Sequence, residues 1–159
     1  MKKSISIVLI GLLFITGVYA EKTIIDEVFD KYAKIESASV VDINGFLLKF
    51  AAKHDDELKN LNLSGIKILT IEDPEVNKDI NFYQEIVPNL KLSEYKELMR
   101  VHEKDQQVIM LAKESNKKIE EFLIIVGGSD NTIVRIKGEL NSKDFDQLAG
   151  MADVNIKID

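Results

Sequence analysis

The chain has 159 residues, of which 45% are hydrophobic and 30% charged, with 21 basic against 27 acidic side chains and a net charge of −6. That length is enough for one domain with a real core. The acidic balance argues against nucleic acid and anionic membrane surfaces as partners, because phosphate contacts need concentrated Lys and Arg. With no cysteine there is no thiol catalysis, zinc–thiolate centre, redox chemistry or disulfide staple, and with no tryptophan and few aromatics a sugar-stacking platform is disfavoured.

Lys2 and Lys3 precede an apolar run from Ile5 to Val18, and Val18-Tyr19-Ala20 offers the side chains a signal peptidase reads before Glu21. The pattern predicts a secretory signal peptide over residues 1–20, cleaved after Ala20, and a periplasmic or secreted protein. The run is short for a bilayer span, Ser6, Gly11 and Thr16 dilute it, and no basic stop-transfer cluster follows, so an uncleaved anchor is the minority reading. A lipoprotein anchor fails for want of cysteine. With Lys2 and Lys3 gone, 19 basic residues face 27 acidic ones, a net charge near −8. Residues 21–159 are then expected to form a single α+β domain with no membrane span.

Ile24, Ile25, Val28, Phe29 and Tyr32 recur at helical spacing and predict an amphipathic helix over about residues 22–36. Ala38 to Asn44 reads as a short strand. Asn44-Gly45 opens a second helix with Phe46, Leu47, Phe50 and Ala51 on one side, running into the acidic stretch His54-Asp55-Asp56-Glu57. Ile66 to Ile71 is apolar on both faces, as in a strand covered on both sides. Asp73-Pro74-Glu75 is a strong helix start: a capping carboxylate, a proline at the first position and an acid at the positive end of the dipole. Tyr83, Ile86, Val87 and Leu90 continue at helical spacing until Pro88 ends or kinks the helix near Val87.

From Tyr95 the period shortens. Strands are expected at 95–102, 107–114, 120–126 and 132–140, joined by short polar connections and therefore paired as an antiparallel meander. Val134, Ile136, Gly138 and Leu140 fall on one side of the last strand and Arg135, Lys137 and Glu139 on the other, which predicts a wet face. A final helix is expected after Asn141-Ser142, carrying Phe145, Leu148 and Ala149 and stopped by Gly150. Val154, Ile156 and Ile158 alternate as an edge strand or a loose tail. The fold class is α+β: a single mixed sheet with a C-terminal four-stranded antiparallel meander and helices packed on its apolar face.

Val28-Phe29-Asp30-Lys31-Tyr32 behind the leader, Tyr95-Lys96-Glu97-Leu98-Met99, Lys117 to Val126 and Ile133 to Gly138 together resemble domain-of-unknown-function family 4252, small exported proteins of Bacteroidetes-type bacteria. The likeness runs from about Phe29 to Gly150. It implies export and one compact domain, and it brings no catalytic motif. The occurrence of some relatives beside extracytoplasmic-type sigma factor genes implies a link to envelope-stress regulation.

No residue pattern assembles a catalytic, cofactor or metal site. His54-Asp55-Asp56-Glu57 supplies an imidazole and three carboxylates for a hard cation, but neighbours on a helix end diverge, and a solvated terminus explains them better. Asp130-Asn131 lacks the repeated spacing of a calcium loop. Gly127-Gly128-Ser129 follows a strand but opens no helix, so it reads as a hairpin turn rather than a phosphate loop. Of the two histidines, His102 reads as a surface residue beside Glu103, and no serine sits on a strained turn near either. Glu120-Glu121, like Asp55-Asp56, reads as solubilising charge. The chain therefore reads as a non-enzymatic binding or regulatory module of the envelope, meeting a protein partner through a sheet edge or helix face. The alternative is a periplasmic carrier of an apolar small molecule or lipid.

Overall fold

Thr23 begins the first helix with a reciprocal cap: its hydroxyl accepts the Asp26 N–H at 3.2 Å, and the Asp26 carboxylate accepts the Thr23 N–H at 3.3 Å. In the computed structural model, which describes residues 22–54 and 61–141, this cap leads α1 (Ile24–Tyr32), whose Ile25, Val28, Phe29 and Tyr32 are buried. The expected helices and strands that involve residues 1–21, 55–60 and 142–159 lie outside the described residues. β1 (Ala38–Asn44) follows, and Asn44 caps α2 (Gly45–Ala51) by accepting the Leu47 N–H at 3.1 Å. A Cβ on Gly45 would sit 2.9 Å from the backbone oxygen of Ser64, so only glycine lets α2 lie this close to β2 (Asn62–Ile71).

The long helix expected from Asp73 is instead two short ones, α3 (Pro74–Asn77) and α4 (Phe82–Ile86). Asn131 explains the break. Its side-chain oxygen accepts the Phe82 N–H at 2.7 Å, and its amide nitrogen donates to Asn77 Oδ1 and to the Ile80 carbonyl, each at 2.9 Å. A buried amide from the sheet thus satisfies backbone groups that a continuous helix would have bonded itself. Pro88 then converts the end of α4 into a 3₁₀ turn, Val87–Asn89.

Four further strands follow among the described residues: β3 (Lys96–His102), β4 (Gln106–Ser115), β5 (Lys118–Gly128) and β6 (Asn131–Leu140). They form the expected meander, and the α+β class holds. The sheet has the order β1-β2-β6-β5-β4-β3. It is antiparallel at all five pairings among the described residues rather than mixed. The segment carrying α3 and α4 takes the chain from β2 to the far edge, so β3 shares the direction of β2 without lying beside it. The meander then returns β6 to β2 in the opposite sense.

One face of the sheet carries Leu69, Ile71, Ile109, Leu111, Leu123, Ile125 and Ile133, closed over by α1 and α4. Phe82 is fully buried there and meets the Tyr32 ring at 5.1 Å between centroids. α4 presses directly on β5: a Cβ at Gly127 would stand 2.3 Å from Asn81 Oδ1 and 2.5 Å from the Tyr83 nitrogen. A second, smaller cluster forms where Leu48 of α2 meets Leu61, Leu63 and Leu140.

Candidate functional site

The residues singled out from sequence do not converge. His54 ends the turn after α2 with its ring 5.5 Å from that of Phe50, and Asp55, Asp56 and Glu57 lie outside the described residues. His102 is exposed at the end of β3, its ring nitrogens 3.3 and 3.4 Å from the Gln107 amide. Ser129 and Asp130 make the turn between β5 and β6. Asp130 accepts from Gln106 at 3.1 Å whereas Asn131 turns into the core, so the pair is split between solvent and interior. Among the described residues no three His, Asp or Glu side chains gather as a metal site.

Two expectations about charge are overturned. Arg135, read as a wet-face residue, has a side chain only 5% exposed, and Glu121, read as solubilising, is nearly as enclosed. The register explains both. Arg135 pairs with Leu123 and stands two residues from the fully buried Ile133, while Glu121 precedes Leu123 and Ile125 in the same phase. Both therefore point to the helix-covered side. Arg135 Nε donates to Glu121 at 2.7 Å and Nη1 to Asp26 of α1 at 2.7 Å. One guanidinium thus ties the first turn of α1 to β5 and β6. Burial pushes the Asp26 carboxyl upward, but the Thr23 hydroxyl and the Arg135 charge outweigh it and hold the group below the ordinary aspartate range.

Two clefts flank this triad. One, of about 280 Å³, is lined by Lys22, Tyr95, Lys113 and Glu121, and the other, of about 240 Å³, by Asp42, Lys67, Arg135 and Lys137. Burial, with the Glu121 charge behind it, pushes the Tyr95 hydroxyl up to about 12. On the helix side, Glu85 accepts from Tyr32 Oη at 2.6 Å and from Lys31 Nζ at 2.8 Å, and these bonds hold its carboxyl low against the opposing effect of burial. These charged groups satisfy one another and clamp neighbouring elements together.

The unsatisfied surface lies at the other end. β1 has one hydrogen-bonded neighbour among the described residues, β2, and its Val40 and Val41 are 43% and 39% exposed. Beside it, Leu48 is the buried residue of α2, while the side carrying Phe46, Leu47 and Phe50 faces out, Phe46 at 77% and Phe50 at 57% exposure. The helical spacing of those residues was legible in the sequence. Which side would be covered was not, because Leu48 alone on the opposite side is a weak signal. Exposed apolar side chains thus stand on two adjoining elements, the edge strand and the outer side of α2.

Among protein families, the model of a domain of unknown function, DUF4252, matches the chain over residues 32–148. No curated protein and no solved structure matches the chain.

Proposed function

Because the chain belongs to the domain of unknown function family DUF4252, we propose its function from the surface itself: a non-enzymatic binding module of the cell envelope that accepts an extended segment of a protein partner on edge β1. The observation that carries this reading is the state of that edge. β1 runs seven residues in unbroken register with β2, has no bulge, and carries two exposed valines and one acid, Asp42, whose charge is engaged by Lys67 at 3.1 Å. An open edge of this kind offers a row of unpaired backbone N–H and C=O groups to an incoming strand, and alternate side chains supply selectivity. The non-enzymatic part is supported by the Asp26–Arg135–Glu121 triad, in which the polar groups that do converge are engaged with one another. The envelope location is supported by the leader-like residues 1–20.

A photoreactive side chain at Ser39 in living cells tests the edge. Crosslinking to one defined envelope protein is expected, with loss of that product in Val40→Lys/Val41→Lys and its retention when Leu98 on β3 is changed to Lys. A product that survives both valine substitutions defeats the reading. Fractionation with N-terminal sequencing tests the location: Glu21 as the first residue of the envelope form is expected, and an intact Met1 in the cytosol would refute it.

A further inference from the structure

Helix α2 differs from α1 in what it turns to solvent. The outer side of α1 carries Glu27, Asp30 and Lys31, an ordinary wet face. α2 has no acid, and Phe46, Leu47 and Phe50 stand out from it beside exposed Lys49, with Lys53 following in the next turn. At 3.6 residues per turn, Phe46 and Phe50 lie one above the other, and Lys49 and Lys53 fall within roughly 60° of Phe46 on the same side. The orientation is fixed from beneath: Gly45 is in contact distance of the β2 backbone and Leu48 is buried against Leu63 and Leu140. Neither lysine has an ion-pair partner among the described residues, whereas Lys22, Lys31, Lys67, Lys78, Lys113 and Lys118 each have one.

We propose that the outer side of α2 docks on an anionic lipid surface, with Phe46, Leu47 and Phe50 entering the acyl boundary and Lys49 and Lys53 reaching the headgroup phosphates. Aromatic and leucine side chains flanked by lysines on one helix side are the chemistry of interfacial helices, since a lysine stem lies along apolar surface while its ammonium stays at the headgroups. The complementarity is local. The net charge of −6 belongs to the whole chain, while α2 and its following turn are cationic and acid-free through His54. Asp55, Asp56 and Glu57 come next, outside the described residues. Docking through α2 leaves β1 as a separate surface, so this inference stands or falls independently of strand addition at the edge.

The chain contains no tryptophan and 4 tyrosines, so Phe50→Trp gives a single tryptophan on the docking side, excited selectively at the red edge of the absorption band. The full chain, in the form the cell produces, is mixed with vesicles of phosphatidylethanolamine containing about a quarter phosphatidylglycerol, or with phosphatidylcholine vesicles. A blue shift at position 50 is expected on the anionic vesicles. Co-sedimentation should fall at least about tenfold in Phe46→Ser/Phe50→Ser and roughly fivefold for each of Lys49 and Lys53 changed to Gln. Circular dichroism should be unchanged, because these side chains face away from the core. Sedimentation with no emission shift at position 50, as leader-driven binding would give, overturns the proposal. So does equal partition onto phosphatidylcholine, or a dimer in lipid-free solution that Phe46→Ser/Phe50→Ser converts to monomer.

Discussion

The two edges of the sheet are built to opposite rules. β3 is guarded: Leu98 interrupts its register with β4, Lys96 stands 3.8 Å from Glu114, and Arg100 holds Glu97 at 2.6 Å and reaches the Tyr83 hydroxyl. A bulge and alternating charges are standard defences against unwanted pairing. β1 has neither. It is regular, has one charged residue that is engaged along the sheet, and lies beside a helix that turns phenylalanine outward. Among the described residues one edge is defended and the other is not, and the proposed strand addition at β1 rests on that contrast. Stability, by the same contrast, resides under α1 and α4, where Arg135, Asn131 and Gly127 lock helices to strands.

That division can be broken or sharpened by substitution. The largest effect is expected at Arg135. Arg135→Met leaves Glu121 enclosed and Asp26 partly enclosed without their cation, and unfolding in urea should show a loss of about 3 kcal/mol. Adding Asp26→Asn and Glu121→Gln should recover most of it; a triple variant no better than the single one would mean that the guanidinium acts through packing alone. Next is Gly127→Ala, whose methyl would meet the α4 backbone at Tyr83; a loss of about 1–3 kcal/mol is expected by the same measurement.

Titration should give smaller changes on both limbs. The carboxyls of Asp26 and Glu85 are held below their unfolded values. The stability they contribute is therefore complete above about pH 4–5 and is lost as pH falls through the folded-state values. Asp26→Asn should flatten that limb. The Tyr95 hydroxyl is raised, to about 12, so its contribution is present below about pH 10 and is lost as pH rises toward the folded value. Tyr95→Phe should flatten the alkaline limb. The smallest effect is expected at edge β1, where Val40→Lys/Val41→Lys should leave the free energy of unfolding in urea within about 0.5 kcal/mol of the parent. A large loss there would make β1 a core element and dissolve the contrast.

Much of the scaffold was legible because it is written in local chemistry. The period of Ile25, Val28, Phe29 and Tyr32 gives α1, Asn44-Gly45 gives the start of α2, and the polar connections between residues 95 and 140 give the meander. The division of the expected Asp73 helix was not legible, because its cause, Asn131, lies 49 residues beyond Phe82. Phe82 is fully buried, yet it lies beside rather than within the helical series that Tyr83, Ile86 and Leu90 share. Arg135 and Glu121 are enclosed although charge ordinarily marks a solvent-facing position. Their phase with Ile133, Leu123 and Ile125 carried the opposite message.

Sequence alone determined the element types, the α+β class and the family, because propensity, capping and hydrophobic period act over one or two turns of chain. Tertiary structure alone decided that the sheet is wholly antiparallel among the described residues, that Arg135 is enclosed by two carboxylates, and that α2 turns Phe46 and Phe50 outward. Each depends on which distant strand comes alongside. A pattern of period two or 3.6 separates two sides of an element but does not state which will meet protein and which will meet something else.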